Sequence, residues 1–101
     1  MERRAFVVRG IVQGVGFRPY VYGLATRLRL RGFIKNLNGG VLIEVEGEAT
    51  TLERFGAELA DRPPPLALIE HLSWERRPPR GEPAFRIEAS QADAAAAVSV
   101  S

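Results

Sequence analysis

An α+β sandwich of ferredoxin-like βαββαβ order is predicted for this 101-residue chain, with an antiparallel sheet, two helices on one of its faces and a short C-terminal strand added. Three observations predict it. Runs of β-branched and aromatic residues alternate with two stretches whose apolar residues recur every three or four positions. Glycine and proline clusters separate the runs, and the segments follow in the order strand, helix, strand, strand, helix, strand. The chain is 46% hydrophobic and 26% charged, which is the composition of a folded domain rather than a disordered segment, and its length suits a single hydrophobic core. The domain is expected to span residues 1–90, with residues 91–101 as a flexible tail, because the alanine run there has helix propensity but nothing to pack against.

Residues 5–12, AFVVRGIV, read as a strand that runs into the glycine turn Gln13-Gly14-Val15-Gly16. A helix follows, with Pro19 suited to its first position and Val21, Leu24, Ala25 and Leu28 on one face. Gly32 punctuates its end. Residues 33–37 form a second strand, Asn38-Gly39-Gly40 signals a hairpin, and residues 41–47 alternate Val41, Ile43 and Val45 against Leu42, Glu44 and Glu46. Thr50 and Glu53 have the spacing of a capping box, and Leu52, Phe55 and Leu59 mark a second helix over 51–61, stopped by three prolines. Strand-like residues return at 67–76 and at 85–87. This order places the first and third strands side by side in the middle of the sheet, with the loop after the first strand near the sheet's centre.

Composition narrows the chemistry. Cysteine is absent, so disulfides, thiolate metal sites and cysteine nucleophiles are excluded within these residues. Fourteen Lys and Arg against twelve Asp and Glu leave a net charge of +2, too small to imply nucleic acid, and no partner of that kind is expected. No apolar run reaches the length of a signal-peptide core or a membrane span, so the expectation is a cytoplasmic protein that does not contact a membrane.

The segment that points to chemistry is Gln13-Gly14-Val15-Gly16-Phe17-Arg18, between a strand and the first turn of a helix. Glycines let successive backbone N–H groups converge, and a helix N-terminus adds unpaired donors and a favourable dipole, which together make a cradle for phosphate. Arg18 stands at the exit of the cradle with a planar, permanently charged grip on phosphoryl oxygens. As a bare pattern, two glycines two residues apart also fit a tight turn beside a surface arginine.

The wider string is more specific. VRGIVQGVGFRPYVYGLA, followed eighteen residues after Arg18 by Asn36 in GFIKNLNGGV, closely resembles the acylphosphatase signature, and the resemblance runs from about residue 4 to residue 90. It implies that Arg18 and the loop amides of residues 13–18 bind the substrate phosphate, that Asn36 positions the attacking water, and that neither metal nor cofactor takes part. Gly16 stands where standalone members carry a bulky aromatic, and Val41 where they often carry a threonine. Gly16, Pro19, Tyr20 and the PPLA string at Pro64 to Ala67 are instead similar to the N-terminal domain of the carbamoyltransferases that mature nickel-iron hydrogenases. That resemblance implies carbamoyl phosphate as the substrate and further domains in a parent chain. A standalone acylphosphatase and a non-catalytic phosphate-binding or docking module of the same fold are the alternatives.

Other residues carry less. His71, the only histidine, falls on a strand-like stretch without a partner for base catalysis. Trp74 alternates with Leu72 and suits a core or sheet-face position. Glu44 and Glu46 are expected to be solvated on an outward face, and Arg27, Arg29 and Arg31 to be solvated near the end of the first helix. An RNA-binding sheet would need aromatics on its exposed face, where the central strands offer Val7, Val8, Val41, Ile43 and Val45.

Overall fold

Seven elements appear in a computed structural model, which describes residues 1–89: β1 (Glu2–Ile11), α1 (Phe17–Arg27), β2 (Arg31–Leu37), β3 (Gly40–Gly47), α2 (Ala49–Asp61), β4 (Leu68–Arg77) and β5 (Phe85–Ile87). The expectation of a flexible tail over 91–101 lies outside the described residues. The sheet has the order β4-β1-β3-β2-β5, with every pair antiparallel except β2 and β5. This is the anticipated α+β architecture, with β1 and β3 adjacent inside the sheet. Among the described residues no helix is long and apolar enough to cross a membrane.

Strand alternation decides which residues meet the helices. Phe6 of β1, Ile43 of β3 and Ile34 of β2 form one register row, and Val8, Val41 and Asn36 form the next. Apart from Asn36 these side chains are buried, together with Phe17, Val21 and Leu24 of α1 and Leu52, Phe55 and Leu59 of α2. Phe6 meets Phe55 edge-on at 5.4 Å between ring centres. Full burial of side chains of this size contributes about 1.5–3 kcal/mol each before entropy is subtracted. Val8, Val41, Ile43 and Val45 therefore lie beneath the helices and not on the open face that the sequence reading assigned to them.

Three local expectations are corrected. Helix α1 starts at Phe17, two residues before Pro19, because Gly16 in the left-handed conformation turns the chain into the helix; Pro19 then sits in the first turn, where its missing N–H costs little. Gly32 does not close that helix but lies inside β2, where a Cβ would come within 1.8 Å of the Glu44 carbonyl oxygen; the left-handed residue after the helix is Arg29. Helix α2 begins at Ala49 behind Glu48 and has no side-chain capping bond, so Thr50 and Glu53 form no capping box.

The largest correction concerns Glu44 and Glu46, which are buried rather than solvated. The connection from β4 to β5 must travel from one edge of the sheet to the other, and it crosses the helix-free face over these two residues. There the Arg3 side chain, itself fully buried, donates to Glu44 at 2.8 Å, Glu46 at 2.7 Å and Glu82 at 3.1 Å. The backbone N–H groups of Arg80, Gly81 and Glu82 also donate to the Glu46 carboxylate, and Arg86 pairs with Glu82 at 3.0 Å. Burial by itself would raise the Glu46 carboxyl, but the Arg80 amide and the Arg3 guanidinium outweigh it and hold it below the usual carboxylate value. Trp74 takes the sheet-face position, about half exposed, with the Arg4 guanidinium stacked 4.0 Å from its ring centre.

Candidate active site

The loop between β1 and α1 lies at the end of the sheet opposite the Arg3 cluster. Gly14 and Gly16 have φ of +73° and +77°, and a Cβ on either would meet nothing within 4 Å. Glycine is thus favoured at both positions by backbone conformation and not by crowding. Gly16 is the N-cap of α1, no side chain caps the helix start, and its first turn carries no acidic residue. The first amides of a helix have no intrahelical partner, so the loop presents N–H donors and the positive end of the helix dipole. Phe17, 1% exposed, anchors this start in the core.

Arg18 occupies the second position of α1 and is half-buried. Asn36 is the penultimate residue of β2, in the row with Val41 and Val8, on the sheet face that carries α1. Its Oδ1 is fully buried and has no hydrogen-bond partner among the described residues. An unsatisfied buried acceptor costs about 1–3 kcal/mol, so this atom is suited to accept from a water or ligand donor. The loop 13–18, Arg18 and Asn36 share one end and one face of the sheet.

Two side chains tie the β2–β3 turn to this end of β1. Gln13 donates through Nε2 to the carbonyl oxygens of Leu37 at 2.6 Å and Gly40 at 2.9 Å, while Arg9 donates to the Asn38 carbonyl at 3.1 Å. Gly40 makes the approach possible, since a Cβ there would lie 2.2 Å from the Val8 carbonyl oxygen. The sequence reading included Gln13 only as part of the loop, because nothing in its local spacing reveals acceptors more than twenty residues away. Tyr20, half-buried, points to α2, where its hydroxyl donates to the Glu58 carbonyl at 3.3 Å, and burial raises its phenol. His71 is exposed on the edge strand β4. Among the described residues no group of three or more His, Asp or Glu side chains is arranged to hold a metal ion.

The family model for acylphosphatase matches residues 4–87. The chain belongs to the acylphosphatase family. It is 48% identical over 69 residues to the carbamoyltransferase HypF2 of Cupriavidus necator, a match covering 68% of this chain and 9% of that protein. It is 40% identical over 82 residues to the acylphosphatase of Thermotoga maritima, covering 80% of this chain and 90% of that protein. Among solved structures, full-length HypF in its phosphate- and nucleotide-bound form superposes with a TM-score of 0.85 at 36% identity, over 88% of this chain and 12% of HypF. This acylphosphatase-like domain thus spans about a tenth of the length of its carbamoyltransferase relatives and nearly the full length of its standalone ones.

Proposed function

We propose that this domain hydrolyses an acyl phosphate, with carbamoyl phosphate as its natural substrate, as the N-terminal domain of a hydrogenase-maturation carbamoyltransferase whose further domains receive the product in the cytoplasm. The observation that carries the reading is the pairing of the left-handed glycine loop and Arg18 with the orphaned Oδ1 of Asn36 at the same end and face of the sheet. The loop amides and the Arg18 guanidinium bind the phosphoryl oxygens and stabilise the charge that grows on them in the transition state. Asn36 Oδ1 accepts a hydrogen bond from a water molecule and aims its lone pair at the reacting group. Water adds, the mixed anhydride opens, and a carboxylate and orthophosphate result, with carbamate as the carboxylate when the substrate is carbamoyl phosphate. An acyl phosphate is already activated, so placement and charge stabilisation suffice without a metal, a cofactor or a strong base. The greater identity to the carbamoyltransferase supports the choice of carbamoyl phosphate over other acyl groups.

The test is hydrolysis of benzoyl phosphate and carbamoyl phosphate by the chain and by Arg18→Ala and Asn36→Ala. Each substitution is expected to lower kcat/KM by about a hundred- to a thousandfold. Parental rates in either folded variant would refute the assignment. Gly16 braces the loop less than the aromatic of standalone enzymes, so the isolated domain is expected to be the slower catalyst; turnover matching a standalone acylphosphatase would contradict that part.

A further inference from the structure

We propose that Gln13 is a positioning residue that fixes the distance between the phosphate-binding loop and Asn36, and that its side chain does not touch the substrate. The inference rests on the hydrolase reading above. Two carbonyl oxygens, those of Leu37 and Gly40, lie 2.6 and 2.9 Å from the end of the side chain, and only an NH2 group can serve both, which fixes the orientation of the amide. Both amide hydrogens are therefore committed to the β2–β3 turn and neither remains for a phosphoryl oxygen. Leu37 follows Asn36 directly, and Gly40 starts the strand that pairs with it. The side chain thus spans the two halves of the site: its own backbone begins the loop that leads to Arg18, and its tip grips the hairpin that carries Asn36.

The rest of the geometry suits this role. The turn residues Asn38 and Gly39 are exposed and Gly39 is in the left-handed conformation, so apart from strand pairing this hairpin tip is held to β1 by Gln13 and by Arg9, which donates to the Asn38 carbonyl at 3.1 Å. Gln13 is exposed, so its two hydrogen bonds add little to global stability, while a shift of the turn by a fraction of a bond length moves the Asn36 carboxamide relative to the cradle. Binding of phosphate depends on the loop and Arg18 alone. Attack by water depends on both halves in register.

Gln13→Met, which keeps the length and removes the donors, and Gln13→Glu, which sets a carboxylate against the two carbonyls, test the idea. With benzoyl phosphate, kcat is expected to fall by about ten- to a hundredfold in both. KM and inhibition by inorganic phosphate should stay within about threefold of the parent, and the thermal midpoint should hold. Faster amide exchange at residues 38–41 in Gln13→Met is expected alongside. Parental kcat in either variant would overturn the proposal, as would a loss of phosphate affinity by the same factor as kcat, which would make Gln13 part of the cradle. If the unaltered chain turned over no acyl phosphate, the hydrolase reading would fail and the positioning role with it; unchanged exchange at 38–41 would by contrast remove the brace while leaving the hydrolase reading intact.

Discussion

The Arg3 guanidinium and the Glu46 carboxylate meet at 2.7 Å with both side chains at 0% exposure. Arg3 lies on the first strand, Glu46 on the third, and Glu46 is further held by three backbone amides from the crossing segment at residues 80–82. With Glu44 and Glu82 on the same guanidinium, the cluster sets three carboxylates around one buried cation. Charges taken out of water are tolerated only when every one is satisfied, so the cluster is a place where small changes have large effects.

Acid is one such change. In Glu46, burial is outweighed by the Arg80 amide and Arg3; in Glu82, the Arg86 hydrogen bond is the leading cause; both carboxyls lie below the usual value of 4.5 in the folded chain. The unfolded chain therefore takes up protons first. The stabilisation is complete above the ordinary carboxylate value and is lost as pH falls through the lower folded values. The thermal midpoint should hold from neutrality down to about pH 5 and drop below about pH 4.5, with a shallower drop in Glu46→Gln. A midpoint indifferent to acid would contradict the assignment.

Removing the central cation should be far worse than removing the outer one. Arg3→Ala leaves three carboxylates facing each other and is expected to cost about 3–5 kcal/mol in urea unfolding. Arg86, whose side chain is 45% exposed, pairs with Glu82 at the solvent boundary, and Arg86→Ala should cost only about 0–1 kcal/mol. Equal costs would mean that the two arginines share the load.

At the other end of the sheet, Gly16→Ala should cost about 1–2 kcal/mol, because the left-handed conformation is strained for a residue with a Cβ although nothing stands in its way. Gly16→Asn should cost less, since asparagine visits that conformation more readily. Gly40→Ala should exceed both, because its Cβ meets the Val8 carbonyl oxygen at 2.2 Å and forces β3 away from β1. Unfolding midpoints of the three variants give the order directly.

If Arg18 and Asn36 carry the reaction, no histidine, cysteine or carboxylate serves in it as acid or base, so kcat/KM should show no bell-shaped dependence on pH. His71→Ala should leave the profile unchanged. Arg18→Lys keeps the charge but loses the planar fork, and kcat/KM should drop by at least about tenfold. A bell-shaped profile would show that an acid or base has been overlooked.

Much of the architecture was legible because its determinants are local. The alternation that marks residues 41–47 as a strand, the helical spacing of Leu52, Phe55 and Leu59, and the glycine turn before Arg18 each act within one element and were legible there, although the face on which Val41, Ile43 and Val45 lie was not. Asn36 was singled out as a candidate only through the resemblance of its surroundings to a known signature, since a lone asparagine near a hairpin carries no signal of its own. Glu44 and Glu46 were misread for a physical reason. Their alternation does place them on the face away from the helices, but whether that face is wet depends on a segment more than thirty residues later that crosses it and on an arginine forty residues earlier. The Gln13 contacts escaped notice on the same ground, as its acceptors are backbone atoms of another hairpin.

The parallel pairing of β5 with β2 has a directional consequence. The chain enters β5 opposite Gly32 and leaves it opposite Ile34, with the Glu88 amide on the Ile34 carbonyl, so at this point the polypeptide is heading toward the tip of the hairpin that bears Asn36. Were β5 antiparallel, the exit would face the Arg3 cluster instead. The three-residue strand acts as a signpost at the sheet's edge, aiming the backbone at the end that holds the glycine loop.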